Sequence, residues 1–211
     1  MRVMLDRRTA LVSLLAALAP RIAMAAERSP RDLNDLARVE TYLNTLKTLR
    51  AKFVQVAPDG GLSQGTAWLQ RPGRMRFQYD PPAPFLLVAS HGNLVFNDTY
   101  LRQTSNIPLS RTPLGILLAD TVRLSGDATV TAVERLPGQL QVGLVRTASP
   151  GEGTLTLIFA DNPLTLRQWV VLDAQRQETH VTLSEIELGG TFDPKLFEQN
   201  TIPNTSPGGG G

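Results

Sequence analysis

The chain has 211 residues, 42% of them hydrophobic and 19% charged, with no cysteine. This composition suits one globular domain with a substantial core, and it excludes a disulfide scaffold, a cysteine-ligated metal centre and a lipid anchor on an N-terminal cysteine. The formal charge is +2, but loss of residues 1–25 would remove four arginines and one aspartate and leave −1, so the basic balance that nucleic-acid binding needs is missing and no nucleic-acid partner is expected.

Residues 1–25 have the form of a secretory signal: basic residues ending in Arg7-Arg8, an apolar run from Thr9 to Ala19, and the small-x-small site Ala23-Met24-Ala25. The apolar run is shorter than the roughly 20 residues a membrane span requires. The arginine pair is compatible with Sec or with twin-arginine export. An untethered periplasmic protein is therefore expected, with residues 26–205 as its single domain and 206–211 as a flexible glycine-rich tail.

Ser29-Pro30-Arg31-Asp32 opens a helix: the serine can cap, proline suits the first helical position, and the aspartate favours the positive helix end. Leu33, Leu36, Val39, Leu43 and Leu46 then recur every three or four residues, predicting an amphipathic helix to about Arg50. From Ala51 onward the pattern becomes short segments separated by turn signals at Pro58-Asp59-Gly60-Gly61, Pro72-Gly73, Asp80-Pro81-Pro82, His91-Gly92-Asn93 and Pro137-Gly138, which predicts antiparallel β structure.

Met75, Phe77 and Tyr79 alternate with Arg74, Arg76 and Gln78, and Leu155, Leu157 and Phe159 alternate with Thr154 and Thr156. Each strand should have one dry face and one wet face. Phe85 to Ala89 is apolar without alternation, which predicts burial on both faces. Thr112 to Ala119 forms a short apolar helical insertion that begins at Pro113. Val181 and Leu183 are out of phase with Ile186 and Leu188, so a β-bulge is expected between Ser184 and Glu185. Phe192 to Glu198 predicts a final helical turn.

Catalytic signals are weak. The two histidines, His91 and His180, fall on a hairpin turn and on the wet face of a strand, and there is neither a Gly-x-Ser-x-Gly elbow nor a His-x-x-x-His metal spacing. The carboxylate pairs Asp193/Glu198 and Glu185/Glu187 suit solvated positions better than acid–base chemistry. No enzyme activity, cofactor or metal is expected.

The stretch from Gly65 through Trp68-Leu69-Gln70-Arg71-Pro72-Gly73 to Met75 and Phe77 resembles the signature of the LolA family, a strand ending in aromatic-x-x-Arg-Pro followed by a strand of alternating apolar residues. Further similarity lies in Leu87 to Phe96, Pro113-Leu114, Leu166-Arg167-Gln168-Trp169 and Phe197 to Pro203, so the resemblance runs over residues 33 to 203 in the family's order. It implies a mainly β fold with an α lid: an unclosed antiparallel β-barrel whose apolar cavity holds acyl chains under a cover of helices.

By the same resemblance Arg71 is the lid latch, and Met75, Phe77, Leu86, Val88 and Trp169 line the cavity. Leu36 and Leu43 of the first helix and Leu114, Ile116 and Leu117 of the insertion form the lid. Met75 departs from the aromatic residue common at its position, although methionine adapts well to varied apolar partners. The implied partners of a monomeric chain are acylated lipoproteins, an inner-membrane LolCDE-type ABC release complex and an outer-membrane LolB-type receptor. A module of the same architecture that binds other lipids, or that senses envelope stress, is the alternative; so is a β-protein that pairs with a partner at a sheet edge.

Overall fold

The computed structural model describes residues 28–198, so the signal segment 1–25 and the tail 206–211 lie outside the described residues. Helix α1 (Pro30–Thr45) precedes strands β1 (Thr48–Val56), β2 (Leu62–Gln70), β3 (Arg74–Tyr79), β4 (Phe85–Ser90), β5 (Asn93–Asp98) and β6 (Gln103–Pro108). The one-turn helix α2 (Leu114–Leu117) follows, and then β7 (Ala128–Leu136), β8 (Gln139–Arg146), β9 (Gly153–Asp161), β10 (Leu164–Asp173) and β11 (Glu178–Leu188). The strands form one antiparallel sheet in the order β6-β5-β4-β3-β2-β1-β11-β10-β9-β8-β7. Its edges, β6 and β7, do not pair, and the connection between them carries α2 from one edge to the other.

The sheet curls strongly. Phe77 of β3 and Trp169 of β10 are separated by three intervening strands, which in a flat sheet would set them ~19 Å apart. Their ring centroids lie 5.8 Å apart instead. The dry faces of the two halves therefore meet, giving the unclosed half-barrel expected from the resemblance. Gly65 assists the curl: a Cβ there would collide with the Gln78 carbonyl and approach the Phe53 ring to 2.9 Å. Without one, Phe53 and Tyr79 meet edge to face across β2, with centroids 5.0 Å apart.

Local signals act as read. The Ser29 hydroxyl accepts from the Asp32 amide at 3.1 Å while the Ser29 amide donates to the Asp32 carboxylate at 3.3 Å, closing a capping box. His91 at φ +50° and Gly92 at φ +78° make the tight β4–β5 turn. Between Arg50/Lys52 of β1 and Glu187/Ser184 of β11 the register slips by one residue, with Glu185 at φ +50°, so the bulge falls where the apolar phase changes. Ile186 packs on the core after it, whereas Leu188 is exposed. The final turn forms over Pro194–Phe197, with the Asp193 carboxylate accepting from the Lys195 amide.

Two expectations are corrected. The first helix ends at Thr45 rather than near Arg50, because Leu49, Ala51 and Phe53 alternate with Arg50, Lys52 and Val54 and already belong to β1. Leu33 is left exposed at the helix start. The fully exposed polar edge strand β6 carries no apolar alternation and has no counterpart in the sequence reading.

Candidate functional site

Beneath α2 the concave face borders a partly open cavity of about 140 Å³. Its walls are Met75 and Phe77 of β3, Leu87 of β4, Trp169 and Val171 of β10, and Val181 of β11. Leu114 adjoins it from α2, and Gln55 and Thr179 are its polar members. The structure thus brings Met75, Phe77, Trp169 and Leu114 together around one space. Three larger depressions, of about 390, 580 and 420 Å³, have charged residues among their linings: Arg123, Asp127 and Arg146 in the first, Asp59 and Asp80 in the second, Arg38 in the third. They make poorer seats for hydrocarbon.

Leu86 and Val88 do not face this cavity. In the β3–β4 register Phe77 pairs with Leu87, whereas Gln78 pairs with Leu86 and Arg76 with Val88. Directly paired residues share a face, so Leu86 and Val88 lie on the convex side with Gln78 and Arg76. Val88 is still fully buried there, beside Val95 and under the Pro194–Phe197 turn, where Phe197 is 1% exposed and Arg76 Nη1 donates to the Leu196 carbonyl at 3.1 Å. Both faces of β4 are covered, as its unbroken apolar run predicted. Such a run does not tell which parity points inward; the register turns Leu87 to the cavity and leaves Leu86 and Val88, named by the resemblance, on the other face.

The expected lid residues pack as a layer on the sheet: Leu36 and Leu43 on α1 and Ile116 and Leu117 on α2 are buried, and Leu114 is half-buried against the same core. Arg71, 6% exposed at the end of β2, links the two helices. Its Nε donates to the Ala119 carbonyl at 2.8 Å and its Nη2 to the Asp120 carbonyl at 3.0 Å, both just beyond α2. Nη1 donates to the Leu43 carbonyl and, at 3.3 Å, to that of Leu46, while Nη2 also reaches Asn44 Oδ1 at 3.4 Å. One planar guanidinium satisfies carbonyls of two segments at once, which the single ammonium of lysine would do poorly. Burial pulls its pKa down and the nearby Asp120 carboxylate pulls it back, but the net shift is downward.

Sequence reasoning missed the other ties in this network. The Asn44 side chain accepts from the Val122 amide and donates to the Val122 carbonyl, both at 2.9 Å. Glu40 accepts from the Leu124 amide at 2.9 Å, and the Gly73 amide donates to the Leu118 carbonyl at 2.8 Å. Polar residues on a helix flank look solvated in sequence, and only the return of the chain near Val122 supplies their partners.

The other end of α1 is held by charge. Arg135 of β7 binds Asp32 and Asp35 at 2.6 Å each, and Arg38 bridges Asp35 at 2.9 Å to Asp161 at 2.8 Å. Burial acts to raise the Asp35 carboxyl, but the bonds from Arg135 and Arg38 outweigh it and hold the group below its ordinary value of 3.8. A depressed carboxyl contributes stability above its ordinary pKa and loses it as pH falls through the folded value. Binding of an apolar fluorescent dye should therefore rise as the pH drops below about 4. Arg135→Gln should raise binding at neutral pH and flatten that profile; an unchanged profile would mean that this cluster does not hold α1.

No histidine lines the cavity. His91 is exposed at its turn, and His180 lies 2.8 Å from Glu178 on the opposite face from Val181. Glu187 pairs with Arg50 at 3.3 Å on the outer surface, and Asp193 caps the final turn. Among the described residues no group of three or more metal-ligating side chains is assembled, and no helix is long and apolar enough to cross a membrane.

Residues 44–200 match the family model described as outer membrane lipoprotein carrier protein LolA. An outer-membrane lipoprotein carrier protein of Methylococcus capsulatus is 29% identical over 185 residues, covering 83% of this chain and 86% of its own. One from Legionella pneumophila (strain Lens) is 30% identical over 173 residues, covering 77% and 83% respectively. A solved structure of a LolA superfamily protein from Nitrosomonas europaea aligns with a TM-score of 0.44 at 10% identity, over 83% of this chain and 100% of that one.

Proposed function

This chain belongs to the LolA family of outer membrane lipoprotein carrier proteins, and from that premise we propose that it takes up acylated lipoproteins at the inner membrane, shields their acyl chains across the periplasm and delivers them to the outer membrane. The observation that carries the reading is the apolar cavity under a lid whose two segments share the Arg71 guanidinium.

Each buried methylene is worth about 0.8 kcal/mol, so an acyl chain of roughly fifteen methylenes resists water by on the order of 10 kcal/mol. A carrier must hide that surface when loaded and hide its own apolar face when empty. The observed cavity of about 140 Å³ is comparable to an engineered apolar cavity of about 150 Å³ that holds only a benzene-sized guest. On this reading the small cavity corresponds to a closed state, and a full acyl chain enters when Leu114 and its neighbours move aside.

On this reading the chain works as a monomer, without a catalytic step. It receives cargo from a LolCDE-type ABC release complex and passes it to a LolB-type receptor. Closure of the lid competes with the cargo for the cavity, which keeps affinity moderate and lets cargo move on without ATP. The test is a photo-crosslinking residue at position Leu114 in the exported protein, with trapped material identified by mass spectrometry. Acylated lipoprotein at that position is the expected result. Phospholipid alone would point to a carrier of other lipids, and a protein partner without acyl chains would refute the cavity as the cargo seat.

A further inference from the structure

The cavity is apolar except at one end. Gln55 is next to the last residue of β1 and Thr179 is second in β11, whereas Met75 is level with Leu49 across β2, toward the other end of β1. The Gln55 side chain shares the concave face with its register partner Val181. Its Oε1 accepts from the Tyr79 hydroxyl at 2.8 Å. Tyr79 is itself held firmly: 7% exposed, it meets Phe53 and Phe85 edge to face, with centroids 5.0 and 5.6 Å away.

Building on the carrier reading, we propose that Gln55 recognises the acyl carbonyl of the cargo, the ester or amide group that joins each hydrocarbon chain to its head, and that Tyr79 is the positioning residue that orients it. Burial pushes the Tyr79 phenol up to about 12, so it stays a donor at every pH the protein meets. With Oε1 committed to Tyr79, the two Nε2 protons of Gln55 are left to donate. No protein acceptor takes them among the described residues.

An ester offers acceptors and no donor, so a fixed amide N–H beside an otherwise dry pocket complements the place where hydrocarbon gives way to carbonyl. A hydrogen bond made there also sets the depth to which a chain inserts, because the carbonyl stops at Gln55 while the methylenes run on toward Met75 and Leu114. Thr179 adds a hydroxyl at the same end, on the strand beside Gln55.

The test compares dioctanoyl phosphatidylglycerol with its dioctyl diether analogue, identical except for the carbonyls, by displacement of an apolar fluorescent dye below the micellar concentration. The ester-to-ether affinity ratio should be about three- to ten-fold higher for the wild type than for Gln55→Met, the loss of one hydrogen bond. Gln55→Glu accepts from Tyr79 but cannot donate, and it should lose the preference as well. Tyr79→Phe should lower the ratio while leaving diether affinity unchanged, which general loosening of the wall would not do. Equal ratios in wild type and Gln55→Met would overturn the inference and leave the carrier reading standing. Binding of neither lipid by the wild type would overturn both.

Discussion

Replacing Arg71 by leucine is expected to leave the eleven-stranded sheet folded while freeing both lid segments. The guanidinium donates to carbonyls on either side: Leu43 and Leu46 at the end of α1, Ala119 and Asp120 beyond α2. Leucine leaves these acceptors without their donor, and a charged donor lost from a buried site costs about 1.5–3 kcal/mol. The penalty falls on the closed lid alone, because an opened lid gives the same carbonyls to water. A shift of about 3 kcal/mol lowers the closed-to-open ratio by roughly two orders of magnitude.

Apolar dye binding and proteolysis within α1 should therefore rise sharply while the far-ultraviolet β signal is retained. The handover step should suffer more than uptake, since a lid that no longer closes cannot displace its cargo. Arg71→Lys should fall between the two, because an ammonium cannot span both segments in one plane. Normal dye binding together with normal transfer of lipoprotein by Arg71→Leu would rule out the latch.

The second large effect is expected from Phe77→Ala. Phe77 is 3% exposed and touches Phe53 and Trp169, with centroids 4.6 and 5.8 Å away, so it connects the two halves of the curled sheet as well as lining the cavity. Truncation of a buried phenylalanine costs about 3–5 kcal/mol, part of it for the space left behind. In a chain of this size each kcal/mol lowers the melting temperature by about 2–4 °C, so a drop of roughly 6–20 °C should appear in a thermal melt.

The vacated volume adjoins the existing cavity, and a guest that fills it stabilises the folded state in proportion to occupancy. A short-chain fatty acid should then raise the melting temperature of Phe77→Ala more than that of the wild type. Equal ligand-induced shifts would mean that the space at Phe77 is not continuous with the cargo seat.

The two predictions draw on different levels of information. Arg71 was recognisable from an arginine set before Pro72-Gly73 within a longer resemblance, and its partners turned out to be backbone of the two segments read as lid. Parity placed Phe77 on the dry face of its strand, through its alternation with Arg76 and Gln78, and the resemblance set that face toward the cavity. The bulge at Glu185 was legible for a related reason: side chains along a strand repeat every two residues, so a slip in apolar phase demands an extra residue wherever one face stays buried.

What the sequence by itself determined were these local periodicities, the Ser29 cap, the tight turns, the amphipathic first helix and the apolar helical insertion between strands. Each is set by a pleat or a helical turn that spans a few residues. What only the tertiary structure decided was which side each element turns to its neighbours. Leu86 and Val88 fell on the convex face because the β3–β4 register and the closing Pro194–Phe197 turn cover them there. Asn44 and Glu40 gained roles through the chain returning near Val122, and Gln55 through a tyrosine two strands away. These contacts join segments far apart in the chain, and so does the curl that brings Phe77 to Trp169, which is a property of the whole sheet and not of any segment within it.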